Sequence, residues 1–304
     1  MMLSIITPIY NRASLLPRIY DCLCVQSNKD FEWIIVDDGS TDNVRAVVEK
    51  MQPEGFTVRL FQKVNGGKHT AVNMGIKEAK GELTLILDSD DELPEDAVAT
   101  VSDEYKTIEG AADFAGVCGY MAHRDGRIIG LPFVEADSSE IDLRYRYHVY
   151  GDMCEVFRTD VLREFPFPEL KGERFCPESL VWNRIARKYK LHVFPKVIYL
   201  RDYLDGGLTD NIVKIRMNSP VASMMTYAEM LDIEIPWSQK MKAAINYYRF
   251  KACLSAKHAS EVGCNIPALS PSWCWTKPLG FLMHVKDTKR KNDRKKAYSL
   301  SRPH

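Results

Sequence analysis

The sequence predicts an α/β protein, with a mostly parallel central sheet flanked by helices and a region of helices alone at its end. Three observations lead there. Up to about Tyr203, apolar runs of strand length alternate with stretches whose apolar residues recur once per helical turn. The first, second and fourth of these strands end in polar turns, which a parallel sheet gathers at one edge. From about Pro220 the strand pattern stops.

Taken in order, the first strand covers 3–7 and breaks at Pro8-Ile9-Tyr10-Asn11. A helix follows, its apolar face set by Leu15, Leu16, Ile19 and Leu23. The second strand, 32–36, runs into Asp37-Asp38-Gly39-Ser40-Thr41-Asp42, where Ser40 or Thr41 suits a helix cap and Asp42 its positive end. The third, 57–61, leads to Asn65-Gly66-Gly67-Lys68 and a helix through Ala71, Met74, Ile76 and Ala79. The fourth, 82–87, is almost continuously apolar, as for a strand buried on both faces, and stops at Asp88-Ser89-Asp90-Asp91. Strands are further expected over 113–121, 152–157 and 196–203, and an amphipathic helix over 178–189 with Pro177 at its start. Segment 138–150 is rich in Arg, Tyr and acidic residues and points to no one element. Helices over 221–231 and 236–258 complete the chain, giving an expected domain at 1–217 and a helical region with a basic tail at 218–304.

Composition excludes little. The 304 residues are 45% hydrophobic and 27% charged, and 41 basic side chains balance 41 acidic ones, so net charge selects no partner and no nucleic acid is expected. Eight scattered cysteines without a Cys-x-x-Cys pair, behind a start that reads as a strand and not a leader, suggest reduced thiols in the cytoplasm. No apolar run is long enough to span a bilayer, so any membrane contact is expected to be peripheral.

The acidic turn carries the first chemical argument. Asp88, Asp90 and Asp91 repel one another unless something positive sits among them. A hard divalent cation, Mn2+ or Mg2+, suits carboxylate oxygens. A solvated turn that caps the helix beginning near Pro94 is the plainer alternative.

At Thr7-Pro8-Ile9-Tyr10-Asn11, at 37–42, over 65–75 and at 88–91, the chain resembles the family-2 glycosyltransferases of the GT-A fold, in the order and at the separations of that family's blocks. Beyond about Pro220 no shared motif is found. The resemblance implies a Rossmann-like sheet and inverting transfer of a sugar from a nucleotide sugar, a UDP-sugar by expectation. The acceptor it implies is a hydroxyl of a glycan or lipid-linked glycan, and bacterial polysaccharide synthesis is the typical setting.

Residue by residue, the resemblance implies that Asp38, with Asp37 beside it, accepts the N3–H of uracil. Asp37 equally suits a turn carboxylate, and Tyr10 a packing residue. Pro8, Tyr10 and Asn11 would wall the base and ribose pocket. Gly67 would let the backbone approach the diphosphate while Lys68 supplies charge, in place of an Arg that many members carry nearby. Asp88 and Ser89 fall to the ribose, Asp88 and Asp90 to the metal, with Asp90 the direct ligand. Glu178 matches the general base at a helix start, although many members have Glu-Asp where this chain has Glu178-Ser179; an ordinary first-turn Glu looks the same in sequence. Asp152 and Asp91 are weaker candidates for the sugar or acceptor pocket, and Asp91 also suits orienting its neighbours or capping a helix.

Gly206-Gly207-Leu208-Thr209 reads as a lid or as a plain turn. The basic tail reads as a solvated end, or as a surface for anionic lipid together with Trp273, Trp275, Phe281 and Leu282. Two other functions remain open. A sugar nucleotidyltransferase would need a glycine-rich loop after the first strand, where this chain has Pro8-Ile9-Tyr10-Asn11-Arg12; the other is a catalytically silent nucleotide-sugar-binding protein.

Overall fold

The computed structural model describes the backbone of residues 1–133, 135–201 and 208–300, and their side chains except at 208–210 and 290–300. Among the described residues eight strands form one sheet. They are β1 (Leu3–Ile9), β2 (Phe31–Asp37), β3 (Thr57–Gln62), β4 (Leu83–Ile86), β5 (Phe114–Ala122), β6 (Ala136–Ser138), β7 (Met153–Arg158) and β8 (Lys190–Leu200). Their spatial order is β3-β2-β1-β4-β7-β5-β8-β6. The pairs β3-β2, β2-β1 and β1-β4 are parallel, β7 is antiparallel to both β4 and β5, and β5 pairs with β8 in parallel. The chain winds outward from β1 in both directions, so the edge beyond the ends of β1, β2 and β4 is a switch point of the kind that binds ligands. Because β7 runs the other way, its beginning lies at that same edge.

Every residue of β1 and β2 is buried, which is why both read as near-unbroken apolar runs. Their polar members are matched. Trp33 Nε1 donates to Thr7 Oγ1 at 2.9 Å. Glu32, wholly buried, accepts from Ser4 Oγ at 2.7 Å, from the Lys80 N–H at 2.6 Å and from Arg59 Nη1 at 2.8 Å, tying β1, β3 and the approach to β4 to one carboxylate. Burial pushes the Glu32 pKa up, but Arg59, Ser4 and the Lys80 amide outweigh it and hold the carboxyl below the usual range. Glu32→Gln is therefore expected to lower unfolding free energy by about 1.5–3 kcal/mol at neutral pH, since it removes the charged hydrogen bond to Arg59, which keeps Glu78 as a partner. A depressed pKa stabilises above the unfolded value of about 4.3 and is lost as pH falls through the folded one. Urea melts of wild type and variant should accordingly converge below about pH 4.

The chain forms two compact units, one of Met1–Phe167 with Val181–Tyr203, the other of Pro168–Leu180 with Leu204–His304. The second unit thus takes a short earlier segment as well as the end of the chain, where the expected division was a single cut after 217. It contains the helices Leu208–Asn218, Pro220–Glu229, Trp237–Lys251, Ala256–Glu261 and Lys277–Leu300. Met224, Tyr247, Tyr248 and Phe250 form its core. Glu173 fastens the earlier segment to it: the carboxylate accepts from the N–H groups of Val221 and Ala222 at 2.7 and 2.8 Å and meets His258 Nε2 at 2.9 Å. A carboxylate at bare N–H groups of a helix start is a favourable use of its positive end.

Three features were not anticipated. β8 begins at Lys190 and not near 196, the strand β6 forms just ahead of the ambiguous segment, which itself yields the helix Glu140–Tyr145, and the basic tail continues a helix as far as Leu300. The expected loop at Gly206 and Gly207 lies outside the described residues, as do the side chains of the tail from Arg290 onward.

Candidate active site

The four polar blocks leave neighbouring strands at one edge of the first unit, and hydrogen bonds join them in a closed ring. Pro8 is buried in β1 opposite Val36 of β2, and Tyr10 just beyond is about half exposed. Asn11 turns back with φ +52°, donating its N–H to Ser40 Oγ at 2.9 Å and accepting from the Thr41 N–H at 2.7 Å. Asp42 accepts from the Ala13 N–H at 2.7 Å. The first and second blocks are thus one piece.

Asp38 closes the second block onto the third. Its buried carboxylate accepts from Lys63 Nζ at 2.8 Å and from the N–H groups of Gly66 and Gly67 at 2.9 and 2.7 Å. Glycine is required at 67, where φ is +97° just ahead of the helix Lys68–Glu78. A Cβ at Gly39, φ +78°, would stand 2.8 Å from the Asn65 nitrogen, so these two loops touch backbone to backbone. Asp37 serves the turn itself, accepting from the Ser40 N–H at 2.8 Å and from Gln62 Nε2 at 3.0 Å.

The third block meets the fourth through Lys68 and Asp88, whose charged atoms are 2.6 Å apart. The fourth returns to the first through Arg12, 3.0 Å from Asp90 Oδ2 and 3.2 Å from the hydroxyl of buried Ser89. The Asp90 carbonyl accepts from Arg18 and Arg124, and both guanidinium groups also pair with Glu92.

The crowding of carboxylates is resolved in two ways. Asp88 is pushed up by burial, but Lys68 first, and then Arg201 and Arg12, hold its pKa below the ordinary range. Asp91 is not so compensated: burial and the neighbouring Asp88 raise it to about 7, against the pull of Tyr199 and Arg201. Tyr199, near the end of β8, donates its hydroxyl to Asp91 at 2.8 Å and accepts the Asp88 N–H at 3.0 Å. Arg201 stands 3.2 Å from Asp152, which precedes β7 and so reaches the same edge.

Asp88 and Asp90 are each about a quarter exposed, and their hard oxygens already accept positive charge from the chain. That donor chemistry fits a divalent cation completed by phosphate oxygens and water. Among the described residues no three His, Cys, Asp or Glu side chains gather to hold one alone.

The structure therefore brings together Pro8, Tyr10, Asn11, Asp37, Asp38, Gly67, Lys68, Asp88, Ser89, Asp90, Asp91 and Asp152 in the first unit. Glu178 belongs to the second unit's early segment and opens the helix Glu178–Ala186, half-buried, directly after Pro177, whose carbonyl accepts the Leu180 N–H at 3.1 Å. Arg12, Lys63, Tyr199 and Arg201 were not foreseen as site residues. Arg12 and Arg201 share one legible signal: Arg201 directly follows the end of β8 and Arg12 lies three residues beyond β1, both at the loaded edge.

Residues 4–164, more than half of the chain, match the family model described as glycosyl transferase family 2. A curated relative from Campylobacter jejuni, GalNAc(5)-diNAcBac-PP-undecaprenol beta-1,3-glucosyltransferase, is 26% identical over 265 residues, covering 82% of this chain and 81% of that one. S. aureus TarS superposes with a TM-score of 0.60 at 19% identity over 88% of this chain, which spans only 46% of TarS; its 1-349 fragment with UDP-GlcNAc gives 0.58 at 18% identity over 96% and 92%. The mannosyltransferase PcManGT from Pyrobaculum calidifontis, with GDP-Man and Mn2+, gives 0.54 at 19% identity over 98% and 84%. The fold is GT-A, with a helical C-terminal region.

Proposed function

Because the chain belongs to glycosyl transferase family 2, we propose that the ring of four loops holds a nucleotide sugar, most simply a UDP-sugar, for inverting transfer of a hexosyl or N-acetylhexosaminyl group. The acceptor in this reading is a hydroxyl of a glycan or lipid-linked glycan used in polysaccharide synthesis, met at a membrane surface. One observation carries it: the buried Asp38, the glycine loop, Lys68 and the two partly exposed carboxylates are locked into one constellation at the switch-point edge.

Each residue then has a physical task. Asp38 presents an acceptor to a base N–H, and Pro8 and Tyr10 flank the base. The Gly67 backbone allows close approach of the diphosphate and Lys68 offsets its charge. Asp90 and Asp88 would hold Mn2+ or Mg2+, which supplies Lewis-acid stabilisation of the departing nucleoside diphosphate. Glu178 takes the proton of the acceptor hydroxyl as its oxygen bonds to the anomeric carbon, while the bond from that carbon to the diphosphate breaks on the opposite side. The undecaprenol-linked substrate named for the Campylobacter relative, and the UDP-GlcNAc, GDP-Man and Mn2+ named for the structural neighbours, support this choice of donor, cation and acceptor.

The test is thermal melting with UDP, GDP and CDP, each with and without Mn2+. UDP with Mn2+ at about 100 times its Kd should add about 2.7 kcal/mol, a shift of several degrees. No shift with any nucleotide would remove the donor-site assignment.

A further inference from the structure

Over residues 277–289 the helix Lys277–Leu300, with the short turn Pro271–Thr276 before it, faces its polar side inward and its apolar side outward. Toward the helix Trp237–Lys251 and the residues after it, it presents Thr276, Gly280, His284 and Asp287, one per turn. Thr276 is fully buried. A Cβ at Gly280 would stand 2.6 Å from the Ile245 carbonyl oxygen and 2.7 Å from Tyr248 Cβ, so only glycine permits this approach. His284 Nδ1 lies 3.3 Å from Cys253 Sγ, and Asp287 accepts from Arg249 Nε at 2.6 Å. The rotation of the helix is therefore fixed.

On the opposite face Leu279, Leu282, Lys286 and Lys289 follow at helical spacing, flanked by Phe281 and Met283, all exposed. Leu282 is 64% exposed, Phe281 57% and Trp237 62%. The Trp237 ring stacks on Trp275 and Trp273 with centroids 6.3 and 6.4 Å apart. Single exposed apolar side chains need no explanation, but a continuous face of them beside stacked indoles marks a surface that something covers.

We propose that this face docks on an anionic lipid bilayer, with Leu279, Phe281, Leu282 and Met283 entering the headgroup–acyl boundary and Lys286 and Lys289 against the headgroups. Charge complementarity selects that occupant. The two lysines continue the apolar face, and the sequence beyond adds Arg290, Lys291, Arg294, Lys295 and Lys296. A second copy seated on the same patch would set two such cationic segments side by side. Indoles at the margin of an apolar face are the side chains that favour the bilayer interface. No described helix is long and apolar enough to cross a membrane, so the contact is with the surface. The inference does not depend on which nucleotide the first unit binds.

The experiment is cosedimentation of the full chain with vesicles of phosphatidylcholine alone, or mixed with phosphatidylglycerol. Wild type should bind the mixed vesicles and release at high salt. Phe281→Ser with Leu282→Ser should abolish binding without moving the thermal melt, since both side chains are exposed. Lys286→Glu with Lys289→Glu should weaken binding by about tenfold or more. Equal binding to neutral and anionic vesicles, or no binding to either, overturns the proposal. So does a concentration-dependent dimer that the serine variant dissolves while vesicles capture nothing.

Discussion

Asp90→Asn is expected to lower kcat/KM for sugar transfer by about a thousandfold, with the fold intact. A bound divalent cation contributes several kcal/mol of charge stabilisation, and each factor of ten in rate is about 1.4 kcal/mol. Asn keeps the shape of the side chain but removes the charge that would hold the cation. The same change removes the ion pair with Arg12, which keeps its hydrogen bond to Ser89; both members of that pair are partly exposed, 40% and 26%, so stability should fall by no more than about 1 kcal/mol. Steady-state kinetics over a Mn2+ titration, with a thermal melt of each protein, separates the two effects. Wild-type turnover with an unaltered Mn2+ dependence would show that Asp90 is not the ligand.

Glu178→Gln is expected to reduce turnover by about 10²–10⁴ while leaving the nucleotide-induced thermal shift unchanged. Gln cannot take the acceptor's proton, but it preserves the start of the helix Glu178–Ala186 and touches nothing assigned to the donor. Single-turnover rates on a donor-saturated enzyme, set beside the melt, distinguish loss of the base from loss of binding. A variant that turns over normally would reduce Glu178 to a first-turn residue.

The parallel half of the sheet was legible because β1, β2 and β4 are predominantly apolar and stop at sharp polar turns. β6 was not. It is three residues at the sheet's edge, Ala136–Ser138, with nothing in its composition to set it apart from a loop. The first half of β8 was missed because Lys190 follows a helical pattern directly and Pro195 interrupts the strand. In the site, the carboxylates could be found because they cluster in sequence, whereas their hydrogen-bond and charge partners are contributed from far along the chain. Lys63 reaches Asp38 across 25 residues, and Tyr199 reaches Asp91 across 108. Such pairings are a property of topology and leave no local mark. The structure adds to the expected cation: Lys68, Arg12 and Arg201 also bring positive charge to the acidic turn, and one carboxyl, Asp91, is relieved by its raised affinity for a proton.

The clasp between Asp38 and the glycine loop has a thermodynamic consequence. Two adjacent glycines would ordinarily be among the most disordered positions of an enzyme's surface, and a ligand arriving there would have to freeze them. Here their N–H groups are already held by the Asp38 carboxylate, beside Lys63, before anything binds. The loss of conformational freedom falls on folding of the sheet edge, so the affinity of the diphosphate proposed to bind there would not be diminished by it.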